Sequence, residues 1–219
     1  MWAESVNRAL HTDWSVFPIV TRRVATLNGT RTSLTPPRFT YHVAMDSLGI
    51  CKDLAAKIRH HSEASVSAAR GLSAEKLNAP VDGQWSVAMV LEHMNVSHGA
   101  YLEPLRKLVP TLGPASGPAK TTFMGRKVCK FAGPNGNAPV PSKAMPAVQT
   151  YGSEVIDRFS QIQQELADLV EASAGKDINV KIPSPLMPIL KFTLTDVYMI
   201  TEAHTDHHTR QIIDRAARA

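Results

Sequence analysis

Cysteine is scarce. Cys51 and Cys129 are the only two in 219 residues. They are too few for a disulfide framework and do not form a Cys-x-x-Cys pair, so both read as reduced thiols. Long apolar runs are missing as well. No stretch approaches the roughly 20 residues that a membrane helix needs. The first residues also lack the basic start and apolar core of a secretory signal. The expected compartment is therefore the cytoplasm, with no membrane partner. Aromatic residues are few, at 6%, yet 43% of the chain is hydrophobic and 20% charged. That is an ordinary globular mix, which excludes fibrous and wholly disordered classes and predicts one folded domain at this length.

Lysine and acidic residues are sparse in one region. Residues 1–44 hold no Lys and five Arg (Arg8, Arg22, Arg23, Arg31, Arg38) against Glu4 and Asp13, and they show no sustained apolar period. Over half of the net charge of +5 sits there, so the remaining chain is nearly neutral. A nearly neutral body offers no phosphate-binding face, and nucleic acid is not an expected partner. Residues 1–44 read as a disordered extension or a start assigned upstream of Met45. An organelle transit segment, Arg-rich and acid-poor, is the functional alternative. The folded domain is expected over residues 45–219.

Four helical patterns follow. From Asp46 to about Arg70, Leu48, Cys51, Leu54, Ala55, Ile58, Val66 and Ala69 recur at three- and four-residue steps, and Gly71 ends the run. Ser86 is placed to cap a second helix whose inner stripe is Val90, His93, Met94, Ala100, Tyr101, Leu105 and Leu108. Residues 110–143 are then rich in Pro and Gly, which excludes a regular helix through most of them. This segment reads as a crossover loop and a lid candidate, its Lys120, Arg126, Lys127 and Lys130 solvated. Val148, Tyr151, Val155, Phe159, Ile162, Leu166, Leu169 and Val170 predict a third helix, with Gly175 as its stop. After a second Pro-rich break, Lys181 to Pro188, Thr193 and Asp196 are spaced as a capping box at the head of a helix from about Leu194 to Ala217. No alternating strand pattern is visible. The expected fold is all-α, an up-down-type four-helix bundle with a long crossover between its second and third helices.

The histidines carry the chemistry. His204 and His208 stand about 40° apart on the last helix, one turn from each other, and share the arc of Val197, Ile200 and Gln211. His93 lies within the inward arc of the second helix. His98 falls roughly 140° away, at the edge, and His207 about 60° off centre, on the flank. His60 and His61 are assigned to the exposed side of the first helix. Three inward imidazoles need hydrogen-bond partners or a metal. Their neutral nitrogens suit Zn²⁺, Ni²⁺ or another late divalent ion, and three ligands leave a position for water or substrate. Satisfied core histidines are the structural alternative. There is no His-Glu-x-x-His, so a zincin protease is not indicated. Glu202 and Asp206 should face outward, about 160° and 200° from His204, and no general base or partner for the outer ring nitrogens is identified. Thr201 and Gln211 are candidate neighbours of the imidazoles.

The segment from Gly83 to Met94, with Trp85-Ser86 ahead of His93, resembles the opening of the second helix in the DinB-like superfamily. The run His204-Thr205-Asp206-His207-His208-Thr209-Arg210-Gln211-Ile212 resembles that superfamily's His-x-x-x-His-x-x-Gln-Ile signature. The resemblance covers about residues 45–217. It departs at Met89, where an acidic residue is common, and at the unmatched N-terminal segment. It implies a four-helix bundle holding a divalent metal, Zn or Ni, on His93, His204 and His208, often as a homodimer. Some relatives are metal-dependent transferases or isomerases using low-molecular-weight thiols. The family name reflects damage-inducible expression and implies no DNA polymerase. The expected function is thus a metal-dependent transferase activating a small thiol, or water in a hydrolase, for attack on an electrophile. The alternative is a non-catalytic binding or stress-response bundle with a structural metal or none.

Overall fold

The computed structural model describes residues 46–219, so the expectations for the N-terminal extension lie outside the described residues. Helices α1 (Ser47–Arg70), α2 (Ala74–Asn78), α3 (Val87–Leu108), α4 (Phe123–Ala132) and α5 (Glu154–Ala172) come first. A short hairpin, β1 (Lys181–Pro183) and β2 (Lys191–Thr193), precedes the last helix, α6 (Leu194–Arg218).

Local chemistry sets these boundaries. Asp46 starts α1 by accepting from the Gly49 amide, and Gly71 follows its last turn. Ser86 caps α3 through the Met89 amide, as its spacing predicted. Thr193 and Asp196 close the predicted capping box on α6, each side chain accepting the other's backbone N–H at 3.1 Å.

The four long helices form the all-α bundle. Both α1 and α3 pack on α5 and on α6, which places α1 and α3 on a diagonal. One apolar cluster joins the start of α1 (Cys51, Leu54) and of α6 (Leu194, Val197) to the end of α3 (Leu102, Leu105) and of α5 (Leu166, Val170). The other joins Ala69 and Ile212 to Val87, Val90, Val155 and Phe159. Hence α1 and α6 run one way, α3 and α5 the other. Two consecutive long helices running in parallel require a connection that travels the bundle's length, which is why the crossover between them is long. Burial of each large apolar side chain contributes about 1.5–3 kcal/mol.

Between the apolar clusters lies a buried polar layer. Ser62 and Ser65 of α1, His93, Ser97 and His98 of α3, Gln163 of α5, and Thr201, Thr205, His208 and Thr209 of α6 are all nearly inaccessible. Ser65 and Thr209 satisfy each other at 2.9 Å. The two apolar clusters fasten the bundle, and the layer between them is free to hold polar groups that apolar packing alone would not tolerate.

Several expectations need correction. Leu48, assigned to the inner face of α1, is half exposed. Val148 was placed at the head of the third helix but is 92% exposed, and α5 begins only at Glu154. The reason lies just upstream, where Asn78 binds the Tyr151 backbone on both sides, through its N–H at 2.8 Å and its carbonyl at 2.9 Å. Most of the crossover is free of regular helix, as its Pro and Gly content implied, but one helix forms within it. Helix α4 forms in the crossover's longest proline-free interval, between Pro118 and Pro134, capped by Thr122. The hairpin was not foreseen either, because three-residue strands carry too little alternation to read.

A candidate metal centre

His204 and His208 stand one turn apart on α6, and His93 projects toward them from α3. The Nε2 atoms of His93 and His204 are 3.2 Å apart, and those of His204 and His208 are 3.0 Å apart. One ligand atom from each of the three residues falls within 4.8 Å of the others. Four nitrogens held tetrahedrally at 2.0–2.1 Å from Zn²⁺ would lie about 3.3 Å from one another. The two spacings to His204 Nε2 meet that to within a few tenths of an ångström, and the third pair lies within 4.8 Å. Among the described residues no Asp, Glu or Cys joins the set, so a cation held there would keep a position for a further ligand.

The outer nitrogens explain why the inner ones converge. His93 Nδ1 lies 2.7 Å from the carbonyl oxygen of Ala144, which only accepts, so the proton sits on Nδ1 and the neutral ring turns a bare Nε2 inward. His208 Nδ1 lies 2.9 Å from Gln211 Oε1, while Gln211 Nε2 donates to His207 Nε2 at 2.9 Å. This fixes the amide and leaves His208 Nε2 bare as well. Two lone pairs therefore face His204 Nε2. A divalent cation, or a proton on one ring, is what satisfies them. This is the observation on which the residues fit a metal.

Electrostatics agree with neutral ligands. Burial lowers the His93 pKa, partly offset by the Ala144 hydrogen bond. Burial also pulls His204 and His208 well below the usual histidine range, and the neighbouring imidazoles push them further. Neutral imidazole is the form that ligates. Trp85, just ahead of α3, packs against the His93 ring with centroids 5.3 Å apart.

The structure brings His93, His204 and His208 together. It moves His98 from the edge to the interior. His98 is 4% exposed, its Nε2 lies 3.0 Å from His204 Nδ1, and its own Nδ1 meets the amide of Gln163. A single stripe misjudged it because α3 is embraced by both α5 and α6, so its buried arc is far wider than one helix face. His207 is half-buried and reaches the backbone carbonyls of Pro134 and Gly133. Gln211, named as a candidate neighbour, is a direct partner of His208. Glu202 and Asp206 turn to His61 of α1, at 3.5 and 3.9 Å, away from the three imidazoles. His61 is accordingly only partly exposed.

The cysteines are both free, Cys51 in the core and Cys129 half-buried on α4. Burial pushes the Cys51 thiol up to about 11, which keeps it protonated and inert. No helix among the described residues is long and apolar enough to cross a membrane.

The family model of the DinB superfamily matches residues 57–212, more than two thirds of the chain and a span that includes all three imidazoles. No curated protein and no solved structure matches.

Proposed function

Because the chain belongs to the DinB superfamily, we propose that it is a divalent-metal-dependent enzyme that transfers a low-molecular-weight thiol, or less favourably water, onto an electrophilic small molecule. His93, His204 and His208 hold the ion, with Zn²⁺ and Ni²⁺ the ions best suited to three neutral imidazoles. The carrying observation is the convergence of three Nε2 atoms whose outer nitrogens are engaged, with no fourth protein ligand among the described residues.

Once bound, the ion supplies Lewis acidity that lowers the pKa of a thiol or water at neutral pH. The chain supplies the rest. Ala144 and Gln211 hold two rings by their outer nitrogens, so the ligands need little reorganisation. The apolar clusters at either end hold the helices that carry the rings. Among the described residues no carboxylate joins the imidazoles to act as a base, and Glu202 and Asp206 are engaged with His61. That favours a thiol, which ionises more readily than water, and it is also what favours the competing reading of a non-catalytic bundle with a structural metal. A homodimer is part of the proposal through the family resemblance.

The test is elemental analysis of protein purified without a histidine tag, followed by assay of the Zn²⁺- and Ni²⁺-loaded protein with small thiols and electrophilic acceptors. About one equivalent of metal and thiol-dependent turnover are expected. Full metal occupancy with no turnover across thiol and hydrolytic panels would leave the structural-metal reading standing and remove the catalytic one.

A further inference from the structure

His204 differs from its two partners. The outer nitrogens of His93 and His208 meet oxygen acceptors, whereas that of His204 meets another imidazole, His98, at 3.0 Å. Nothing in that contact alone says which ring carries the proton. The next residue in the chain of contacts bears on it. His98 Nδ1 lies 2.9 Å from Gln163 Nε2 and 3.2 Å from Gln163 Oε1, and Gln163 is fully buried.

Two hydrogen-bond patterns satisfy these positions. In the first, the Gln163 amide N–H donates to His98 Nδ1, His98 Nε2–H donates to His204 Nδ1, and the His204 proton sits on Nε2. That proton then points into the centre, toward the bare Nε2 atoms of His93 and His208. In the second, a half-turn of the amide puts Gln163 Oε1 opposite His98 Nδ1–H. His98 Nε2 accepts from His204 Nδ1–H, and His204 turns a lone pair into the centre. Both patterns carry one proton on each ring, so the buried layer stays neutral in either. Only the positions of two protons and one amide differ.

Thr205 biases the choice. Its hydroxyl donates to the Thr201 carbonyl at 2.7 Å and stands 3.4 Å from Gln163 Oε1; with its single hydrogen committed to Thr201, two acceptors would face each other there. An amide nitrogen suits that position and an amide oxygen does not, which favours the second pattern.

We propose that Thr205, Gln163 and His98 form a tautomer relay that positions His204, turning its proton into the centre when no cation is held and its lone pair into the centre when one is. The proposal rests on the three-imidazole metal reading. His98 and Gln163 act through His204, so they are positioning residues. Partners of this kind typically carry about 10–100-fold in metal affinity.

The experiment uses the full chain and Zn²⁺ alone. Nitrogen-15 NMR of the histidine rings reads the tautomers directly. On adding zinc, His98 is expected to change from the Nε2–H to the Nδ1–H form together with His204. An unchanged His98 tautomer overturns the relay. Zinc titration of variants is the second arm. His98→Leu should weaken binding by about 10–100-fold, and His98→Gln, whose amide oxygen accepts from His204 Nδ1–H, should recover most of it. Thr205→Val should weaken binding several-fold while the metal-free melting temperature holds. His98→Leu binding zinc as wild type does, or His98→Gln failing as badly as His98→Leu, overturns the relay and leaves the metal reading intact. Wild-type protein that takes up no zinc overturns the metal reading itself. Should His98→Leu fail to fold, the NMR arm on unaltered protein decides alone.

Discussion

His93 on α3 donates its Nδ1 hydrogen to the carbonyl oxygen of Ala144, 2.7 Å away and 51 residues later in the chain. Ala144 ends a single 3-10 turn in the crossover between α3 and α5. The crossover is thereby tied to the candidate centre at one end, and through Gly133 and Pro134 to His207 at another point.

That tie makes the crossover's own turns matter for metal binding. A Cβ on Gly136 would sit 1.9 Å from the Phe131 carbonyl oxygen, so the turn after α4 cannot accept one without moving. Gly136→Ala is expected to lower zinc affinity by about an order of magnitude, the lower end of the range for lost ligand-orienting contacts, with the bundle still folded. Isothermal titration beside far-UV circular dichroism checks it. Unchanged affinity would mean that the turn and the centre are independent.

Gln211 offers a cleaner probe of ligand orientation. It accepts from His208 Nδ1 and donates to His207 Nε2. Gln211→Leu leaves His208 free to choose either tautomer and should weaken zinc binding about 10–100-fold. The melting temperature of metal-free protein should move little. A large loss of stability with unchanged affinity would refute the orienting role.

Stability should fall with acid over a defined window. The folded-state pKa values of His93, His98, His204 and His208 are all lowered, chiefly by burial, and that of His98 reaches about 4. The unfolded chain protonates near pH 6.5, so it binds protons first as the pH drops. The contribution is complete above about pH 6.5 and is lost progressively as the pH falls toward 4, by on the order of 3 kcal/mol from fully buried His98 alone. Urea unfolding of metal-free protein at pH 7.5, 6 and 5 measures it. A flat profile would contradict burial of these rings.

Packing of α4 on α6 depends on a missing side chain. A Cβ on Gly125 would meet the Asp196 carboxylate at 2.0 Å. That carboxylate also accepts from the Thr193 and Thr122 amides, at 3.1 and 2.9 Å. Gly125→Ala should destabilise by about 1–3 kcal/mol through overpacking, and Asp196→Ala by about the same through lost caps. Thermal denaturation reads both, and a wild-type melting temperature in either would count against the contact.

Arg215 poses the opposite case. It is 7% exposed, its Nη2 donates to Gln84 at 3.0 Å, and its Nη1 has no partner among the described residues. Burial lowers its pKa. An unpaired buried cation contributes little to stability, so Arg215→Met should change it by less than about 1 kcal/mol or raise it. A loss of several kcal/mol in chemical denaturation would show that the guanidinium is doing more than its contacts reveal.

Much of this was legible beforehand because it is local. Helix periodicity, the Ser86 cap and the Thr193–Asp196 capping box are written in residues a few positions apart, and so is the one-turn spacing of His204 and His208. The inward direction of His93 was readable from the stripe of its own helix. His98 was not, because its burial depends on two other helices closing over it. Ala144 gave no signal at all, since what it offers His93 is a backbone carbonyl that any residue possesses. Helix α4 was obscured by the prolines and glycines on either side of it.

By itself the sequence determined an all-α bundle and the inward direction of His93, His204 and His208, since both follow from spacing along single helices. Only the tertiary structure decided what stands behind each ring, because those partners are brought up by chain segments distant in sequence. The dividing line is physical. Hydrophobic period is a property of one helix, whereas the proton position on a buried imidazole is set by whichever donor or acceptor the fold delivers to its far side.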